Sequence, residues 1–140
     1  MTIGLAQVPA PLPIQGVSGD EFALVVTLTD INGDPLSIPL DPEGTVYRSG
    51  QEVDAWAPTV SYVSTGVYSV SWTAAQTSAL NAQSLLSWAL QLALDSSGPF
   101  YAILAGPVKM SDPFSPGTTT TNQSFLLTLA STVVNVAVAL

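Results

Sequence analysis

Every side chain in this sequence that could do acid–base chemistry near neutral pH is a carboxylate: there are ten Asp and Glu, no His and no Cys. Without imidazole or thiol, the usual general bases, cysteine nucleophiles and histidine-dependent serine triads are excluded. Thiolate metal sites and disulfide frameworks are excluded with them. Three carboxylate pairs remain, Asp20 with Glu21, Asp41 with Glu43, and Glu52 with Asp54. Glycoside hydrolysis would need two such groups facing each other across a cleft. Each pair instead falls at a turn or a strand start, where acids serve as solvated surface groups. The chain is therefore read as a non-enzyme that needs no cofactor.

The stretch "DINGDPLSIPLD" raises a cation site. Asp30, Asn32, Asp34 and Asp41 fall at positions 1, 3, 5 and 12 of a loop, the spacing with which a calcium hand presents its ligands. Such a loop requires Gly at position 6 and a bidentate Glu at position 12. Pro35 and Asp41 stand there and no helices flank the stretch, so a hairpin turn of the Asn-Gly kind is the better reading. Sugar stacking is a third chemistry, open to Trp56, Trp72, Trp88, Tyr47, Tyr62, Tyr68 and Tyr101. Tyr68, Trp72 and Trp88 share the apolar faces of their strands and are assigned to the core. Trp56 is left as the candidate surface contact, for a glycan or another partner.

Charge narrows the partners further. Arg48 and Lys109 are the only basic residues, and the net charge is −8. Binding a phosphate backbone, or docking on an anionic membrane by charge, takes clustered Lys and Arg. Neither nucleic acid nor membrane is expected. No apolar run reaches the roughly 18 to 20 residues of a membrane span. The first residues lack the basic start of a signal peptide, so a soluble chain made in the cytoplasm without export is expected. With 140 residues, 47% of them hydrophobic, the chain can bury one real core.

The elements that would position these residues are strands. "FALVVTLT" (22–29) puts Phe22, Leu24, Val26 and Leu28 on one face, and Tyr68, Val70 and Trp72 alternate with Ser69, Ser71 and Thr73. In "LLSWALQLALD" (85–95), Leu86, Trp88, Leu90, Leu92 and Leu94 alternate strictly, which decides for strand over helix. Weaker strands are expected over 44–49 and 55–63, and another over 100–110. One helical turn interrupts the pattern, where Thr73-Ala-Ala-Gln76 reads as a capping box. Short strands separated by turns predict a β-sandwich.

The two ends differ from this body. Pro9, Pro11 and Pro13 alternate in residues 1–19, which read as an extended arm. No charged side chain occurs from Pro113 to Leu140. Within that run, 112–123 read as a linker and 124–140 as one or two further strands. Phe125, Leu127, Leu129, Val134, Val136, Val138 and Leu140 give them apolar rows. A bare apolar strand must be covered. The sandwich over 20–111 already looks complete, so burial against a neighbouring subunit is expected.

Three segments, "GDEFALVVTLTDINGDPL" (19–36), "STGVYSVSWTAAQTSAL" (64–80) and "SWALQLALDSSGPFYAILAGPVKM" (87–110), occur in an order that resembles a recurrent module of tailed-bacteriophage virion proteins. That module is found in minor tail and baseplate proteins and in some head-decoration or head-fibre proteins. The resemblance covers about residues 19–110. It implies an immunoglobulin-like β-sandwich used for assembly, with no catalytic residues to carry over. It departs from the pattern in replacing interior charges by neutral residues, as in "SWALQLALDSSG". The expectation is thus a virion structural protein in the tail or on the capsid surface, contacting other virion proteins, with a homotrimer favoured around a tail axis. Capsid decoration and a glycan-binding tail module are the alternatives.

Overall fold

The computed structural model describes residues 10–97, 99–111, 123–129 and 132–139, with the backbone alone for 123–129, 132, 133 and 135. In chain order the elements are β1 (Ala10–Pro11), β2 (Ile14–Val17), β3 (Phe22–Thr29), β4 (Glu43–Arg48), β5 (Gln51–Glu52), β6 (Thr59–Ser64), β7 (Val67–Trp72), α1 (Ala74–Asn81), β8 (Leu86–Ala93), β9 (Phe100–Ser111), β10 (Gln123–Leu129) and β11 (Thr132–Ala139). They form an all-β fold of two sheets. The first runs β1-β9-β8-β4-β5, with β2 also on β9; the second runs β10-β11-β3-β7-β6. Among the described residues only the pairings of β1 and β2 with β9 are parallel.

Alternation creates the core. Leu24, Val26 and Leu28 of β3 and Tyr68, Val70 and Trp72 of β7 are buried, facing Trp88, Leu90 and Leu92 of β8 and Ile103 and Leu104 of β9. Trp72 and Trp88, one from each sheet, meet edge to face with centroids 5.6 Å apart. Such pairs contribute about 0.5–1.5 kcal/mol beyond area burial. A buried indole N–H must find an acceptor. Trp88 Nε1 donates to Leu12 O at 2.8 Å, and Trp72 Nε1 donates to Trp56 O at 2.9 Å. The two rings thereby pin segments that would otherwise lie loosely on the surface.

The helix is built as its sequence dictates. Thr73 Oγ1 accepts from Gln76 N–H at 3.1 Å, and Gln76 Oε1 accepts from Thr73 N–H at 2.9 Å. Leu80 is buried, and α1 carries the chain from the second sheet at β7 to the first at β8. Thr77 is buried as well. Its hydroxyl accepts from Gly19 N–H and lies 2.9 Å from Asp20 O, fastening the turn that joins β2 to β3.

Three expectations differ from what forms. The described part of the arm, 10–17, is not separate from the sandwich but lies along β9 as an edge strand. Ala10, Leu12 and Ile14 are buried while Pro11 and Pro13 face outward, because an edge strand tolerates residues that lack an outward donor. Gly106 allows the approach: a Cβ there would come within 2.5 Å of Leu12 O. Next, β4 and β5 form a hairpin whose turn residues Ser49 and Gly50 both have positive φ, 51° and 83°, as a type I′ turn requires. The stretch expected as a strand over 55–63 divides into a 3₁₀ turn at Asp54–Trp56 and β6. Finally, the uncharged C-terminal segment forms a β10–β11 hairpin whose inner strand pairs with β3 of its own chain.

Candidate interaction site

The three carboxylate pairs lie at the surface. All six members of the three pairs are exposed, and among the described residues no three of His, Cys, Asp and Glu come together. In the Asn-Gly loop, Asp30 Oδ1 accepts from Asn32 N–H and Asp34 N–H at 2.9 and 3.0 Å. Gly33 N–H donates to Asp30 O, closing a β-turn, and Asp30 N–H donates to Asp34 O across the loop, so Asp30 Oδ1 serves the turn's own backbone. Trp56 is half-buried on its 3₁₀ turn, with the Arg48 guanidinium 5.8 Å from its ring centroid. Gln76 Nε2 donates to Ala55 O and Ala57 O on either side of it. Trp56 is therefore a bracket between α1 and the core, with one ring face already taken.

The valine row also finds its place inside the chain. Val134, Val136 and Val138 are buried, and Val136 and Val138 stand opposite Leu28 and Val26 of β3. The expected cover from a neighbouring subunit is here supplied by the same molecule, so the row gives no support to a trimer formed through it. The reason is topological: with β1 and β2 committed to β9, the far edge of β3 is left open, and β11 fills it. Phe125, Leu127 and Leu129 lie on β10, their backbone opposite Val136, Val134 and Thr132; their side chains, and Leu140, lie outside the described residues.

What the structure leaves open is an edge that the sequence did not single out. Strand β6 pairs with β7 and, among the described residues, with nothing on its other side. Its sequence, "TVSYVS", has no charge and no proline, and five of its six residues are exposed. Tyr62 and Val63 are each 58% exposed, among the larger apolar exposures of the described residues. Tyr62 stands opposite the buried Tyr68, ring centroids 5.8 Å apart, and so lies on the inner face where the sandwich ends. The facing strand β5 is two residues long and cannot cover it. The register shifts between Tyr62 and Ser64, but the uncharged stretch before it, Thr59–Tyr62, is a regular edge that can template another strand.

Beside the edge, Pro42, Glu43, Thr45, Glu52, Pro58 and Val60 line a shallow depression of about 300 Å³. Glu43 and Glu52 belong to different pairs in the sequence; the β4–β5 hairpin brings them to one place. Asp41 extends the acidic strip. Burial raises the Tyr68 hydroxyl above its ordinary value, and the negative charge of Asp41 adds to the shift. A second cleft, about 450 Å³, lies between the end of α1 and β9 and is lined by Leu80, Leu85, Val108, Lys109 and Met110. Leu85 stands 76% exposed there with φ of 58°. Ser49 N–H donates to its carbonyl at 3.1 Å and holds that conformation.

No family model matches the chain, and neither the curated proteins nor the solved structures give a match.

Proposed function

We propose that this chain is a non-enzymatic structural protein of a tailed-bacteriophage virion, a minor tail or baseplate component that joins its neighbours through strand edges. The observation that carries the reading is where the three virion-like segments fall. Residues 19–36, 64–80 and 87–110 hold β3, β7 with α1, and β8 with β9, the centre of both sheets. The neighbours β3-β7-β6 in one sheet and β4-β8-β9 in the other follow the order of an immunoglobulin-like sandwich. In this reading β11 takes the place beside β3 that a first strand would fill.

A body of this kind makes a stiff spacer, and unpaired strand edges supply its contacts by β-augmentation. Its partners are other virion proteins. Capsid decoration or a head fibre is the second location, favoured by the same small sandwich. Gold-labelled antibody raised against the chain should mark purified particles of the phage that encodes it. Label at the tail tip supports the tail reading, and label over the whole head supports decoration. Protein found in the lysate of infected cells but not on purified particles would overturn both.

A further inference from the structure

Strand β6 and the acidic strip beside it form one surface, and its chemistry specifies what it takes. A strand added to β6 extends the second sheet outward, and half of its side chains then face the gap between the sheets. That gap has an apolar floor, with Pro42, Pro58 and Val60, and an acidic rim at Glu43 and Glu52. Tyr62, exposed on the inner face, gives the incoming strand a ring to pack on.

A second copy of this chain does not fit that requirement. Its own open edges, β6 and β10, carry no basic residue. Of its two bases, Arg48 lies over Trp56 and donates to Gln83, and Lys109 sits in β9 of the first sheet. Each copy would also bring a net charge of −8 toward the same charge. Like charges across an interface oppose docking and slow encounter.

We infer that β6 docks an extended segment of a different protein, one that carries Lys or Arg on the side facing Glu43 and Glu52. This rests on the assembly reading above and names the edge and the partner's chemistry. Main-chain hydrogen bonds supply the adhesion, and the two glutamates select the partner by charge. The partner segment needs uncharged residues at alternate positions, because those lie over Val60 and Tyr62.

The test uses the full chain and two fluorescein-labelled strand peptides of alternating Thr and Val, one flanked by Lys and one by Glu. Fluorescence anisotropy should show the Lys-flanked peptide binding about tenfold tighter, with the preference fading at high salt. The double substitution E43Q/E52Q changes two exposed side chains and leaves the sandwich folded; it should abolish the preference while leaving main-chain pairing. Equal binding of both peptides, or no binding of either, overturns the inference. So does a concentration-dependent rise in mass of the chain alone that Ser61→Pro removes, since β6 would then be taken by a second copy. None of these outcomes touches the presence of the protein on particles, so failure here is distinguishable from failure of the virion reading.

Discussion

The first sheet ends at β1 and β2 on one side and at β5 on the other; the second ends at β10 and β6. At the first sheet's rims, Pro11 and Pro13 offer no outward donors, and β5 is two residues long with Glu52 in it. These are the devices by which sheets avoid adding strands. At the second sheet's rims, "QSFLLTL" and "TVSYVS" have neither charge nor proline. The β1 and β5 rims of the first sheet are blunted, whereas the rims of the second lack charge and proline and carry only a register shift in β6 between Tyr62 and Ser64. Since both share one core, stability does not explain the difference. Under the proposed function the two layers divide the work: the first closes the molecule and the second offers the edges for assembly.

The strongest way to break this comparison is to put the same charge in the interior and at the rim of the second sheet. Val136→Asp buries a carboxylate among Leu28 and its neighbours and should cost about 4 kcal/mol in urea denaturation. Val63→Asp, on the open edge, should change stability by no more than about 0.5 kcal/mol. Equal effects would mean that β11 is not part of the chain's own core.

Next in size is an attack on the blunted sheet. Gly106→Ala places a Cβ within 2.5 Å of Leu12 O, so β1 must move off β9. The expected loss is about 1–3 kcal/mol. Light scattering should also show self-association, because a guarded rim has been stripped. Unchanged mass and stability would show that the proline-bearing segment is not what protects that edge.

Thr73→Ala removes one arm of the capping box where the chain passes between sheets, and should cost about 1 kcal/mol with the fold intact. The smallest effect is confined to alkaline pH. Tyr68, buried and near Asp41, has its hydroxyl raised above 10.0 in the folded state. Its neutral form is therefore favoured by folding. That contribution is fully present below the unfolded value and is lost as pH rises through the folded one. In urea melts, Tyr68→Phe should flatten the alkaline decline in stability and leave the neutral-pH dependence unchanged.

Much of this division is written in local pattern, and part of it is not. Strands β3, β7 and β8 are legible because large apolar residues (Leu24, Val26, Leu28; Tyr68, Val70, Trp72; Leu86, Trp88, Leu90, Leu92) recur at every second position. The capping box is legible because its two partners lie three residues apart. The N-terminal segment misleads because prolines fall at every second position. They mark the outward face of a strand as well as they mark an extended arm, and the inward series Ala10, Leu12, Ile14 lies between them. The valine row announces that it must be buried, but no periodicity states which chain covers it. Strand β6 is invisible as a site, since being an edge depends on which strands pair elsewhere. The uncharged run that contains it, 55–94, also holds β7 and β8 and so does not mark it as an edge.

The central claim is that the C-terminal hairpin completes the chain's own sheet, leaving contacts with other molecules to the outer edges. Amide hydrogen exchange at Val134, Val136 and Val138 tests it most directly, measured on the full chain over a wide range of protein concentration. The account predicts that these amides exchange only with global unfolding, at a rate that does not depend on concentration. Rapid exchange in dilute solution, slowing as the protein is concentrated, would contradict it and place the row between subunits.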